Sequence, residues 1–102
     1  MPAKRTQFKN KLCMVRAESA GVFAGILISR NGNEVLLKQA RRIWYWCGAA
    51  TLSQLAQSGT STPNKCKFPE IVNQVLLIKV IEIIPITAKA AKTIKAVPIW
   101  KR

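Results

Sequence analysis

The segment ARRIWYW, residues 40–46, gathers two guanidinium groups and three aromatic rings within seven positions. Guanidinium forks grip phosphates through paired hydrogen bonds, and flat rings stack on nucleobases, so a single element carries both halves of a nucleotide contact. Strand alternation sends Arg42, Trp44 and Trp46 to one face and Arg41, Ile43 and Tyr45 to the other. Trp and Tyr also anchor small cores, so the rings are divided between packing and ligand contact. Guanidiniums are seldom buried unpaired, which points Arg41 and Arg42 toward a ligand or an interface.

Two further stretches have the same flavour. In SAGVFAG, residues 19–25, the small residues Ser19 and Gly21 allow close approach of backbone N–H groups to a phosphate, with Val22 and Phe23 following. The segment lacks the Walker lysine and hydroxyl pattern, and a tight turn entering a strand accounts for it equally well. The terminal PIWKR sets Trp100 beside Lys101 and Arg102; such a tail either covers a sheet edge or completes a neighbour's site. With Arg16 from the basic start of the chain, the candidate ligand-contacting residues are Arg16, Ser19, Gly21, Val22, Phe23, Arg41, Arg42, Trp44, Trp46, Trp100 and Arg102.

Catalysis finds little to work with. The chain has no histidine, and its four acids, Glu18, Glu34, Glu70 and Glu82, are dispersed. The usual general base and the paired carboxylates of acid–base chemistry are therefore missing from the sequence pattern. Glu18, in ESAGVFAG, is the carboxylate best placed to be an exception. Cys13, Cys47 and Cys66 have neither zinc-knuckle nor redox spacing, and an odd count argues against a disulfide framework. No enzyme, cofactor or metal is expected.

Charge supplies the partner class. Lys and Arg number 17 against 4 acids, for a formal charge of +13, where a magnitude of roughly 2 to 8 keeps a small domain soluble. Residues 1–16 and 85–102 contain cations and no acid. Both ends can therefore dock phosphates, and an anionic ligand or nucleic acid is the expected partner. No signal-peptide layout is present, and the longest apolar run, Val75 to Ile86, is interrupted by Lys79 and Glu82 and too short to span a bilayer. A reducing cytoplasm and no membrane association are expected.

The elements that must position these groups can be read in outline. Residues 1–11 read as a flexible basic arm, and residues 12–102 as a single domain. Leu12–Arg16 and Val22–Ser29 read as strands. Asn31-Gly32 signals a type I′ hairpin that pairs the second strand with Glu34–Lys38, and ARRIWYW reads as a further strand. Thr51 with Gln54 is a capping box for a helix over 52–58, stopped by Gly59. Residues 59–70 read as a surface loop, and Gln74–Ile84 as one long strand covered on both faces and central to the core. Thr87 caps a second helix, with Ala91, Ile94 and Val97 apolar, Lys89, Lys92 and Lys95 on a basic flank, and Pro98 as its end. The expected fold is α+β, a small, mainly antiparallel sheet with two short helices.

The blocks ESAGVFAGILISRNGNEVLLKQARRIWYWCGAATLSQLAQSGT, CKFP, IEIIP and VPIWKR together resemble a family of small bacteriophage and prophage proteins, with similarity over most of residues 15–102 and ARRIWYW and LSQLA as its most specific parts. By analogy of size and layout, the resemblance implies a phage sponge: a homo-oligomer in the bacterial host cytoplasm that sequesters a nucleotide second messenger of a defence system such as Thoeris or CBASS, of cyclic-nucleotide or ADP-ribose type, without turnover. In that reading Arg41 and Arg42 hold phosphates, Trp44, Trp46 or Phe23 stacks on a base, and SAGVFAG offers backbone donors. DNA or RNA binding and inhibition of a host protein through the aromatic strand are the competing readings.

Overall fold

The computed structural model describes residues 7–101. It contains the strands β1 (Leu12–Ala17), β2 (Gly21–Asn31) and β3 (Glu34–Arg42), the helix α1 (Leu52–Ser58), a short 3₁₀ turn (Pro63–Lys65), the strands β4 (Ile71–Leu77) and β5 (Val80–Pro85), and the helix α2 (Ala88–Ala96). The five strands form one sheet in the order β4-β3-β2-β1-β5, with every neighbouring pair antiparallel. The fold is α+β, a small antiparallel sheet with two helices.

The apolar run expected to be one central strand is two strands, and they occupy opposite edges of the sheet. Laid flat, four inter-strand gaps of about 4.8 Å would hold β4 and β5 roughly 19 Å apart. The connection through Ile78 and Lys79 spans at most about 11 Å from one Cα of the flanking strands to the other. The sheet must therefore curl so that the end of β4 comes within that distance of the start of β5. Two hydrogen bonds fasten the crossing: Val80 N–H donates to the Asn33 carbonyl at 2.9 Å and Glu18 N–H to the Lys79 carbonyl at 3.0 Å. Lys79 itself turns the corner at φ 58°. The outward side chains Val72, Leu76, Ile78 and Ile81 are exposed, so the run is not covered on both faces. An unbroken apolar sequence carries no period to locate such a kink.

The strand that is covered on both faces is β1. Cys13, Val15 and Ala17 point inside the curl and pack with Phe23, Leu27, Val35, Leu37 and Leu77. Met14 points the other way, into a second core with Ala24, Ile43, Leu55, Phe68 and Ile94 beneath the helices. Gly25 lies where β2 bends. A Cβ there would sit 3.2 Å from the Ala40 Cα and the Leu37 Cβ, so the close approach of β2 and β3 admits a side chain only if β3 gives way by a few tenths of an ångström.

The hairpin after β2 pairs Asn31 with Glu34, so the turn is centred on Gly32-Asn33 rather than Asn31-Gly32. Only its first central residue, Gly32, has positive φ, 61°, which is the type II′ pattern and not type I′. ARRIWYW is also not a separate strand. Its first residues continue β3, which passes through Gln39 at φ 50° without ending.

Both helices begin as expected. The Thr51 hydroxyl accepts from Gln54 N–H, whose side-chain oxygen accepts from Ala50 N–H, and the Thr87 hydroxyl accepts from Ala90 N–H. Of the arm, residues 1–6 lie outside the described residues. The remainder, 7–11, is tied down: Phe8 packs against the inner core, Asn10 N–H donates to the Leu27 carbonyl, and Leu27 N–H to the Lys11 carbonyl. No described helix is long and apolar enough to cross a membrane.

Candidate functional site

Beyond Arg42 the chain leaves the sheet but keeps its alternation for one more step. Ile43 N–H donates to the Val22 carbonyl, Arg41 and Ile43 stay buried, and Arg42 and Trp44 face outward. Tyr45 then forms an antiparallel bridge with Lys67, its N–H donating at 3.2 Å and its carbonyl accepting at 2.8 Å. Phe68 pairs in parallel with Ile99, and Trp100 N–H donates to the Phe68 carbonyl at 3.0 Å. Buried Phe68 is thus the pivot that brings the C-terminal segment over the end of β3. Cys66 is held against Cys47, whose carbonyl also accepts from the Thr60 hydroxyl.

This stitching stacks Trp44 on Trp100, with ring centroids 4.8 Å apart and planes 12° from parallel. The Lys67 ammonium lies 5.8 Å from each Trp centroid and 5.9 Å from that of Tyr45, within the range of cation–π attraction. Trp44 remains 58% exposed.

On the other side of Trp44, Arg42 lies over the Phe23 ring at 4.3 Å and donates to the Ala20 carbonyl. That carbonyl belongs to the β1–β2 turn, where Ser19 has φ 68° and Gly21 φ 94°; the latter region favours glycine. Ser19, Gly21, Val22, Arg42, Trp44 and Trp46 line a hollow of about 300 Å³. A second hollow, about 550 Å³, lies on the far side of the stack between Lys65, Lys67, Trp100 and Lys101. Among the described residues no carboxylate lines either one. The arrangement offers a stacking face, ammonium and guanidinium groups and turn backbone, which is the equipment of binding. It presents no paired acid and base.

Six of the residues read from the sequence therefore converge on the first hollow, and Trp100 stacks on one of them, Trp44, while itself lining the second hollow. Three of the described candidates do not belong with them. Arg41 is 6% exposed, with four of its five guanidinium N–H groups bonded to main-chain carbonyls: Nε donates to Pro69, Nη1 to Ile94, and Nη2 to Phe68 and Val97. Its ring contact is Phe68, at 5.3 Å. Burial pulls its pKa below the ordinary guanidinium value. Arg41 is thus a tie between the sheet, the 68–69 segment and the end of α2, not a phosphate fork beside Arg42. Phe23 is buried beneath Arg42, so its face supports a cation and is closed to a base. Arg16 is held by Glu82 at 2.7 Å. Arg102 lies outside the described residues. Trp46 lines the hollow but is half-buried against the second core, so packing claims much of its ring.

Sequence reading missed Lys67 and Tyr45. The CKFP block was visible, but only the long-range pairing with Tyr45 gives its lysine a place among the rings. Among the described residues no cluster of three or more His, Cys, Asp or Glu could hold a metal ion.

Over residues 10–94 the chain matches the family described as Domain of unknown function (DUF6948), and it belongs to that family. No curated protein and no solved structure matches it.

Proposed function

We propose that the protein captures an anionic ligand bearing a nucleobase and holds it without turnover. The Trp44–Trp100 stack, with Trp44 exposed, carries this reading, because it is flanked by Lys67 and Arg42 and by hollows that no carboxylate among the described residues lines. Base stacking on such a face is worth about 1–3 kcal/mol, and a charge-assisted hydrogen bond to phosphate about 1.5–3 kcal/mol. Together with the resemblance to small phage proteins, this supports a sequestering role toward a cyclic or ADP-ribose-type immune nucleotide in the host cytoplasm. Both hollows are open, and a second copy of the chain would enclose the ligand; a homo-oligomer belongs to this reading.

Single-stranded nucleic acid is the second reading. It is favoured by the position of cationic hollows on both sides of the stack, which suits successive nucleotides, and by the +13 charge. Calorimetric titration with ADP-ribose, a cyclic dinucleotide and a thymidine oligonucleotide at two salt concentrations separates the two. Saturable binding of a small nucleotide, with light scattering that reports a defined oligomer, supports sequestration. Binding of the oligonucleotide alone, falling steeply with salt, supports the second reading. If none of the three binds, or if Arg42→Ala and Lys67→Ala leave binding intact, the surface is not a nucleotide site.

A further inference from the structure

Arg41 poses a charge problem that the Trp44 surface does not solve. A buried cation without a counter-ion costs several kcal/mol even after relaxation. Among the described residues the only salt bridge joins Arg16 and Glu82, so Arg41 meets no carboxylate there. Carbonyl dipoles compensate part of the cost, including those of Ile94 and Val97 at the end of α2, where a cation is favourable. A guanidinium has five N–H donors, and the four bonds it makes leave one on Nη1 without an acceptor.

Arg41 also lines a cleft of about 290 Å³ whose walls are mainly aliphatic. Leu12, Ile26 and Ile71 come from three strands of the sheet and Ile94 from the last turn of α2, with Lys95 at the same helix end. The volume is close to the lower bound of ordinary small-ligand sites. An apolar trough that holds a guanidinium without a carboxylate partner among the described residues, and a lysine, is complementary to a molecule with an aliphatic chain and an anionic head. We propose that this cleft binds a medium-chain aliphatic carboxylate, with its chain along Leu12, Ile26 and Ile71 and its head group at Arg41 and Lys95. The site is separate from the aromatic surface and does not depend on the function proposed for it.

Octanoate and octan-1-ol are the probes, titrated into the full chain with the isoleucine methyl and tryptophan indole signals followed by NMR. Octanoate should shift the Ile26, Ile71 and Ile94 methyls saturably and leave the Trp44 and Trp100 indoles unmoved. Octanol, which lacks the charge, should bind at least about tenfold more weakly, the factor expected when a charge-assisted hydrogen bond is lost. Lys95→Gln, at an exposed position, should weaken octanoate with the melting temperature unchanged. Ile71→Asp, on the exposed rim, should abolish its binding. Equal affinity for octanoate and octanol, unmoved isoleucine methyls, or octanoate binding that is indifferent to Lys95→Gln would each overturn the proposal.

Discussion

Trp100 lies face to face with Trp44 at 4.8 Å, so the C-terminal segment completes a surface that the end of β3 begins. Trp100→Ala should remove the stack at a stability cost of about 0.5–1.5 kcal/mol for the aromatic pairing, in addition to the burial lost with its half-buried ring. The accompanying loss of nucleotide affinity should be about 1–3 kcal/mol. Near-ultraviolet circular dichroism reports the stack, and calorimetry the affinity. A variant with full affinity would show that the ligand stacks elsewhere.

Arg41 should behave oppositely to its neighbour. Arg41→Ala strands four carbonyls, from Phe68, Pro69, Ile94 and Val97, and should destabilise the fold by about 3 kcal/mol or more. Arg41→Lys should rescue little, since one ammonium cannot reproduce the fork. Arg42→Ala should melt within about 1 kcal/mol of the parent, because it gives up one exposed cation–π contact and one exposed hydrogen bond. Urea unfolding of the three variants tests this ordering.

Alkaline pH should weaken the fold through Cys13. Burial pushes its thiol from the ordinary 9.0 up to about 11, with nearby Lys11 acting weakly in the other direction. The unfolded chain therefore releases this proton first. The stability contributed by the group is complete below about pH 9 and is lost as pH rises through about 11, an effect on the order of 2 kcal/mol. Stability measured against pH should decline less steeply over this window in Cys13→Ala than in the parent.

Two glycines separate steric from conformational strain. Gly59, at φ 81°, would place a Cβ 2.1 Å from the Thr93 hydroxyl oxygen, whereas Gly32, at φ 61°, has nothing within 4 Å. Gly32→Ala should cost about 1–2 kcal/mol from backbone conformation alone. Gly59→Ala should cost more, because it must also displace the hydroxyl that accepts from Thr60 N–H. Thermal melting of both variants checks the order.

The elements with local punctuation were legible in the sequence. Thr51 with Gln54, Thr87 and Gly59 marked helix ends through hydrogen bonds made within a few residues, and Asn31-Gly32 located the hairpin to within one position. Arg42 and Trp44 reached the expected face because strand alternation persists one step beyond the last ladder pair, while Trp46 turned partly into the second core. What was not legible depends on distant partners. Nothing near Arg41 announces that its acceptors lie at residues 68, 69, 94 and 97, and nothing near Lys67 announces three rings. The kink at Lys79 is equally silent, since its cause is the requirement that β4 and β5 flank opposite sides of an already curled sheet.

That crossover has a consequence for biosynthesis. The β1–β3 meander is complete once Arg42 has been made, yet its inner face needs Leu77 and its outer face Phe68, Ile94 and Val97. A nascent chain that ends short of these residues exposes apolar surface on both sides of β1, a state prone to aggregation. The inner face therefore cannot close before Leu77 has emerged, nor the outer face before Val97.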